Sequence, residues 1–176
     1  MKLLLIGAST GGPNKIEKII KNITLNDCSI IIAQHMNRMF LESFASRLAK
    51  ITNHPVEIAA NNQKIEPNKI YLCKEKTEIV NNRFKISKSD HFNPDINTLF
   101  HSLAGYKNIL GIILTGIGDD GVSGCVELKK NGAICYTETA NSAIVDGMPK
   151  QAREAGIEAM EFEEIIKKVR KFCQKR

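Results

Sequence analysis

The sequence has no tryptophan, and aromatic residues make up only 6% of its 176 residues. Its apolar runs are the length of single strands and fall far short of the roughly 20 residues that a membrane-spanning helix needs. The N-terminal "MKLLLIGAST" does not resemble a secretory signal, because its short apolar core runs directly into a glycine-rich turn. No RNA-binding or zinc-finger pattern is present either. These absences predict a cytoplasmic protein with no membrane insertion and no nucleic-acid partner.

Cysteine occurs five times, an odd number, at widely separated positions and in no CxxC pair. We therefore expect neither a disulfide framework nor a zinc site, and we assign no metal to this sequence. Scattered cysteines of this kind are typical of small buried side chains. The residues concerned are Cys28, Cys73, Cys125, Cys135 and Cys173.

Positive charge is concentrated near the C-terminus of a chain whose formal net charge is +6. The final "KKVRKFCQKR" holds six basic residues: Lys167, Lys168, Arg170, Lys171, Lys175 and Arg176. Glu161, Glu163 and Glu164 precede them, and acids followed by bases along one helix match the helix dipole. We interpret the segment as a solvated helix end, with a basic surface for an acidic partner as the alternative.

Short apolar runs alternate with amphipathic segments, a pattern typical of parallel strands joined by crossover helices. Strands are predicted at residues 2–6, 29–33, 107–115 and 132–137. A helix is indicated by apolar residues at helical spacing: Phe40, Phe44, Leu48 and Ile51. Region 54–87 instead shows short alternating segments and turn signals such as Asn81-Asn82, which predict a β-hairpin insertion. We expect an α/β fold with a doubly wound, mostly parallel sheet, flanking helices and a single domain over residues 1–176.

The first predicted strand ends in "GASTGG", which places Ser9 in a turn of small residues. Residues 7–11 match G-x-S-x-G, in which a sharp strand-to-helix turn presents a serine hydroxyl above the sheet edge. The same turn could instead hold a phosphate on the N–H groups that begin the following helix. Neither G-x-G-x-x-G nor a P-loop lysine is present, but this stretch by itself leaves both interpretations open.

Two further strand ends carry the groups that a serine nucleophile requires. His35 follows the strand-like run "IIIAQ", and the carboxyl edge of a parallel sheet is where ligands bind. "LTGIGDDG" ends a third strand with Asp119 and Asp120, one of which could orient the imidazole while the other caps a helix. The remaining histidines are interpreted as structural or surface residues: His54, His91 and His101. A serine, a histidine and an aspartate at one sheet edge therefore predict a catalytic triad, in the chain order Ser, His, Asp.

These segments resemble the catalytic domain of the chemotaxis protein-glutamate methylesterases, the CheB family, from about Lys2 to Gly156. The resemblance is carried by "IGASTGGP" (6–13), "AQHM" (33–36), "SFASRL" (43–48), "LTGIGDDG" (114–121) and "VDGMPKQAREAG" (145–156). It implies a serine hydrolase that demethylates glutamyl methyl esters of chemoreceptors and releases methanol during chemotaxis adaptation. The implied partners are the cytoplasmic helices of methylated receptors, and many family members also deamidate receptor glutamines.

By this resemblance Ser9 is the nucleophile, His35 its general base and Asp120 the residue that orients His35, which leaves Asp119 to the loop. It also implies oxyanion or substrate-positioning roles for three more residues: Thr10, Ile117 and Met148. Ester hydrolysis by such a set needs a nucleophile, a base and an oxyanion hole, and no metal or organic cofactor.

The chain departs from the family pattern at the pocket rim. Ile117 stands where T-G-M-G has methionine, Asn37 where a proline follows H-M, and Glu138 opens the segment that reads Q-[DN]-E-x-S. We expect these differences to affect receptor docking more than the triad. No receiver domain is found in this chain, so we expect a constitutively open site and, where regulation exists, a separate regulator.

Two other functions account for part of the sequence. A catalytically altered relative would bind receptors without turnover, but a pure scaffold has no physical need of an intact Ser-His-Asp set. A nucleotide-binding Rossmann-like module would explain the first turn but leaves His35 and Asp120 without a task.

Overall fold

A seven-stranded parallel sheet organises the protein, whose computed structural model describes residues 1–89 and 94–174. In chain order the strands are β1 (Lys2–Ala8), β2 (Cys28–Gln34), β3 (Val56–Ile58), β4 (Ile70–Leu72), β5 (Lys76–Val80), β6 (Arg83–Ser87), β7 (Ile109–Ile113), β8 (Ile134–Glu138) and β9 (Glu158–Met160). The sheet order is β3-β4-β2-β1-β7-β8-β9, while β5 and β6 form a separate antiparallel pair. Every pairing within the large sheet is parallel.

The helices of the described residues flank this sheet on both faces. They are α1 (Gly12–Ile20), α2 (Arg38–Ala49), α3 (Ile96–Ser102), α4 (Val122–Lys130), α5 (Met148–Glu154) and α6 (Phe162–Gln174). Side chains of α1, α2 and α6 pack in one core, and those of α3, α4 and α5 pack with the β5–β6 hairpin in another. The predicted α/β fold with a doubly wound, mostly parallel sheet is therefore confirmed.

Strand β1 shows how the sheet separates the two cores. Leu4 and Ile6 point into the core with α1, whereas Leu3 and Leu5 point into the core with α3. Successive residues of a strand face opposite sides, so a strand that is covered on both faces reads as a continuous apolar run. This is why "KLLLI" was recognisable as a central strand from the sequence.

The strand order creates a switch point beside β1. From β1 the chain moves to one side for β2 and β4, and it later returns to the other side for β7, β8 and β9. Ligands of open α/β sheets bind outside the carboxyl ends of the strands at such a reversal. The turn that carries Ser9 directly follows β1 at this point.

The predicted hairpin insertion at 54–87 is confirmed only for its second half. Residues 76–87 form the β5–β6 hairpin, and its turn residues Asn81 and Asn82 have φ values of 50° and 59°. The first half instead supplies β3 and β4, which extend the main sheet in parallel with β2. Strands β3 and β4 have three residues each, and a sequence pattern this short does not indicate whether two strands pair in parallel or antiparallel. The turn signals between them were therefore wrongly interpreted as the turn of a hairpin.

Helix α2 buries a slightly different face from the predicted one. Its core residues are Leu41, Phe44 and Leu48, while Phe40 is 61% exposed and Ile51 lies beyond the helix end. The helix begins at Arg38 with Asn37 as its cap, and because successive residues lie about 100° apart around the helix axis, burial of Leu41 turns Phe40 toward solvent.

The C-terminal segment forms α6 as predicted, with Glu163 and Glu164 in its first turn and Lys171 in its last. Lys175 and Arg176 lie outside the described residues, as does His91.

All five cysteines are buried thiols. In the part of the chain that the structure describes, no helix combines the length and the apolar character of a membrane span.

Candidate active site

Ser9 lies half-buried in the turn between β1 and α1, and its backbone is held from three directions. Its N–H donates to the Thr115 carbonyl (3.0 Å), and its carbonyl accepts from the Gly12 N–H (2.9 Å) and from Gln34 Nε2 (2.8 Å). Gly11 caps the helix with a φ of 83°, a conformation that favours glycine. The sharp strand-to-helix turn predicted around Ser9 is therefore present.

His35 follows β2 and reaches across the sheet edge toward the end of β7. Its backbone N–H donates to the Ala8 carbonyl at 2.9 Å, which ties it to the residue before Ser9. Its ring nitrogen Nε2 lies 2.7 Å from Asp120 Oδ2. The Nε2 proton is thus shared with the carboxylate, and Nδ1 is the ring nitrogen left to take a proton from a substrate or nucleophile.

Asp120 is held by a helix N-terminus as well as by His35. Its Oδ2 accepts the Ile96 N–H and its Oδ1 the Asn97 N–H, both at 2.9 Å, at the start of α3. Burial favours a higher pKa for this carboxyl, but the hydrogen bonds from His35, Ile96 and Asn97 outweigh it and lower the pKa below its ordinary value. The group is therefore ionised at neutral pH, as an imidazole-orienting aspartate must be.

Asp119 makes no contact of this kind. Its side chain is exposed, and only its backbone carbonyl is engaged, by the Val122 N–H at 3.1 Å. Helix α4 has Gly121 at its N-cap, with no side-chain cap. Asp120 is therefore the aspartate that contacts His35, and its side chain also accepts the N–H groups at the start of α3.

No hydrogen bond joins the Ser9 hydroxyl to His35 in this structure, in which both residues are described. Nucleophile–base contacts are often long in unliganded hydrolases and shorten when substrate binds. Within the described residues, the backbone N–H groups of Thr10 and Ile117 also donate to no other group. Thr10 directly follows Ser9, and Ile117 directly follows Gly116, whose Cβ position lies 2.6 Å from Ser9 Cβ.

Gly116 is a close neighbour of Ser9 that the sequence did not single out. A Cβ at this position would lie 2.6 Å from Ser9 Cβ and 2.5 Å from the Met148 sulfur, so only glycine fits. The Gly116 carbonyl accepts the Met148 N–H at 2.8 Å. Met148 is fully buried and supports the turn through Gly116, whereas Ile117 is 67% exposed beside it.

Gln34 and Thr115 were missed because their meaning depends on tertiary contacts, and the placement of Glu138 at the pocket rim was wrong, because this residue is fully buried beside Lys15 and Thr115. Gln34 and Glu138 end β2 and β8, and Thr115 follows β7, all of them buried. A polar residue that ends an apolar strand is the one sequence signal that could have drawn attention to them.

The other histidines have the structural or surface positions predicted where they are described. His54 Nε2 accepts the Leu25 N–H at 3.0 Å, and His101 lies on the surface between Glu127 and Ser123.

A cavity of about 340 Å³ opens beside the site and is lined by residues that include His35, Pro94 and Asp120. A larger cavity of about 920 Å³ lies away from Ser9 and His35, against α4 and α5.

Comparison with known proteins gives a consistent result. The sequence profile of the family described as CheB methylesterase matches residues 4–169. A protein-glutamate methylesterase/protein-glutamine glutaminase of Methanospirillum hungatei is 32% identical over 187 residues, which cover 100% of this chain and 53% of the relative. Its namesake in Salmonella typhimurium is 34% identical over 166 residues, with 88% of this chain and 48% of the relative covered.

Among solved structures, the crystal structure of the Thermotoga maritima CheB methylesterase catalytic domain matches with a TM-score of 0.87 at 28% identity, over 97% of each chain. This chain therefore corresponds in extent to that catalytic domain, and it spans about half the length of the curated relatives it matches.

Proposed function

The chain belongs to the CheB methylesterase family, and on this basis we propose that it hydrolyses glutamyl methyl esters of chemoreceptors and releases methanol. The observation that carries the proposal is the 2.7 Å contact between His35 Nε2 and Asp120 Oδ2, at the same sheet edge as Ser9. An imidazole hydrogen-bonded to a carboxylate, beside a serine in a tight strand-to-helix turn, is the arrangement of a serine hydrolase.

In the proposed reaction, Ser9 Oγ attacks the ester carbonyl carbon while His35 Nδ1 takes the hydroxyl proton. We assign the N–H groups of Thr10 and Ile117 to the oxyanion that forms, since neither donates to another group of the described residues. The bond to the methoxy oxygen then breaks, and His35 returns the proton to that oxygen, so methanol leaves. Water, deprotonated by His35, hydrolyses the acyl-enzyme and restores Ser9, with the glutamate carboxylate as product.

The same steps would convert a receptor glutamine to glutamate with ammonia as the leaving group. The names of the curated relatives include this glutaminase activity. The proposed partners are the cytoplasmic helices of methylated receptors, which would place the protein in the cytoplasm. Regulation, where it exists, is assigned to a separate protein or segment.

The test is methanol release from methylated receptor membranes by the parent chain and by Ser9→Ala at equal concentration. We expect Ser9→Ala to reduce the rate by at least about three orders of magnitude, as loss of a nucleophile does in serine hydrolases. Ser46→Ala, an exposed serine of α2, is the matched control and should keep the parent rate.

Other outcomes favour other functions. If the parent chain is folded and binds receptor but releases no methanol, the catalytically altered relative is the better description. Equal rates for the parent and Ser9→Ala would refute the assignment of the nucleophile. Thermal stabilisation by a nucleotide, without esterase activity, would support the Rossmann-like alternative.

A further inference from the structure

A buried ion pair lies beneath the catalytic turn and has no part in the proposed chemistry. Lys15 of α1 is 7% exposed and Glu138, the last residue of β8, is fully buried. The Lys15 ammonium contacts Glu138 Oε2 directly and also donates to the Ser142 carbonyl at 2.6 Å. An ion pair this deep has lost its hydration, so its geometry is set by the hydrogen bonds around it.

Glu138 connects this pair to Ser9 through Thr115. Glu138 Oε1 accepts the Thr115 N–H at 2.9 Å, and the Thr115 carbonyl in turn accepts the Ser9 N–H at 3.0 Å. The Thr115 hydroxyl donates to the Thr10 carbonyl at 3.0 Å. Thr115 thus links Glu138 to the Ser9 N–H through its backbone and to the Thr10 carbonyl through its hydroxyl.

The pair also holds the segment that covers the turn. Glu138 Oε2 accepts the Ser142 hydroxyl at 2.7 Å, and the Val145 N–H donates to the Thr115 hydroxyl at 2.8 Å. Ile144 lies between these two anchor points and over Gly11, where an added Cβ would be 3.0 Å from Ile144 Cβ. Glu138 and Thr115 therefore hold residues 142–145 as well as the Ser9 turn.

We propose that the Lys15–Glu138 pair is a positioning device that sets the Ser9 turn, through Thr115 and the 142–145 segment, in the geometry needed for attack. The inference rests on the proposed function, in which Ser9 is the nucleophile. A buried ion pair adds little net stability compared with apolar residues of similar size, but its directed hydrogen bonds specify one arrangement. An error of about 1 Å in a nucleophile's position costs on the order of 100-fold in rate.

The charge of Glu138 can be tested separately from its hydrogen bonds by substitution with glutamine. A glutamine there keeps an oxygen acceptor for the Thr115 N–H but cannot neutralise Lys15. Glu138→Gln therefore leaves a buried ammonium without its counter-charge, and Lys15→Met leaves a buried carboxylate. The double variant removes both charges and keeps the acceptor for Thr115.

The experiment measures the rate at which a fluorophosphonate probe labels Ser9, expressed per folded molecule. We expect Glu138→Gln and Lys15→Met each to slow labelling by about 10- to 100-fold, and the double variant, which has no ion pair and no unpaired charge, to stay at least about 10-fold below the parent. In receptor assays the single variants should lower kcat with little change in KM. Leu128→Ala, a buried residue of α4, is the control that loses stability without contacting the network.

Thr115→Val covers the case in which a single charge variant does not fold. It keeps both charges and removes the hydroxyl that holds Thr10 and Val145, so its labelling should also be slow. Folded variants that label at the parent rate would overturn the inference, and a double variant at the parent rate would show that the Ser9 turn is set without the pair. If the parent itself is not labelled at Ser9, it is the proposed function that fails.

Discussion

At the scale of single residues, Asp120 combines two tasks that are usually given to different side chains. One oxygen is shared between the His35 ring and the Ile96 N–H, and the other accepts the Asn97 N–H. Because α3 begins at this carboxylate and His35 follows β2 beside it, the position of the imidazole is coupled to the position of a helix. Substitution at Asp120 should therefore affect the tautomer of His35 before it affects the fold.

We expect Asp120→Asn to lower kcat by about 10⁴-fold, the loss seen when a triad aspartate becomes an amide and the imidazole takes the wrong tautomer. The amide oxygen can still accept one N–H from α3, so the protein should remain folded. The measurement is methanol release together with the circular dichroism spectrum of the variant.

Asp119→Asn is the matched control for this substitution. Its carboxylate is exposed and contacts neither His35 nor a helix N-terminus, so the rate should stay within about threefold of the parent. A large loss with Asp119→Asn and none with Asp120→Asn would reverse the assignment of the two residues.

The residues of the predicted triad could be identified from the sequence because each one directly follows an apolar strand or its short extension. Parallel strands bring their carboxyl ends to one edge, so sequence position predicts that Ser9, His35 and one of Asp119 and Asp120 are neighbours, and the choice of Asp120 comes from the family resemblance. Gly116 and Glu138 could not be identified in this way. Their importance depends on what lies 2–3 Å away in another segment, which one sequence does not reveal.

At the scale of elements, the end of β7 is where the site has the least free space. The chain from Thr115 to Gly116 passes directly beside Ser9, and α5 begins against Gly116, whose carbonyl accepts the Met148 N–H. A strand end that must accommodate both a nucleophile and a helix start requires a residue without a side chain.

Gly116→Ala should therefore lower kcat by on the order of 100-fold, because the new Cβ would lie 2.6 Å from Ser9 Cβ and must displace it. Displacement of the Met148 side chain should also lower the free energy of unfolding by about 1–3 kcal/mol, as overpacking does. Methanol release and urea denaturation measure the two effects.

Gly105→Ala is the control for adding a methyl group at a glycine. No atom lies within 4 Å of its Cβ position, and its φ is not positive, so neither rate nor stability should fall. Full activity of Gly116→Ala would show that the Ser9 turn is more mobile than its hydrogen bonds indicate.

The elements also show where sequence patterns stop being informative. Strands β1, β2, β7 and β8 were predicted because five to seven consecutive residues carry the apolar signal of a strand covered on both faces. Strands β3, β4 and β9 have three residues each, and their place in the sheet is set by the neighbour they pair with. The Asn81-Asn82 turn was predictable because asparagine tolerates the positive φ that such a turn needs.

At the scale of the whole molecule, the sheet divides the protein into two cores that share only strand backbones. Leu48 of α2 belongs to one core and Leu128 of α4 to the other, and both are buried. The predicted active site lies at the sheet edge, outside both. Stability and catalysis should therefore be separable, and the two cores should contribute independently to the free energy of unfolding.

We expect Leu48→Ala and Leu128→Ala each to lower the free energy of unfolding by about 2–5 kcal/mol, since each leaves a cavity in a packed core. In the double variant the two losses should add to within about 0.5 kcal/mol, because the sheet separates the sites and they share no partner. Urea denaturation of the four proteins gives the values, and methanol release per folded molecule should match the parent in all of them. A coupling of more than about 1 kcal/mol would mean that the cores communicate through the strands, and destabilisation of either core would then be expected to reach the Ser9 turn as well.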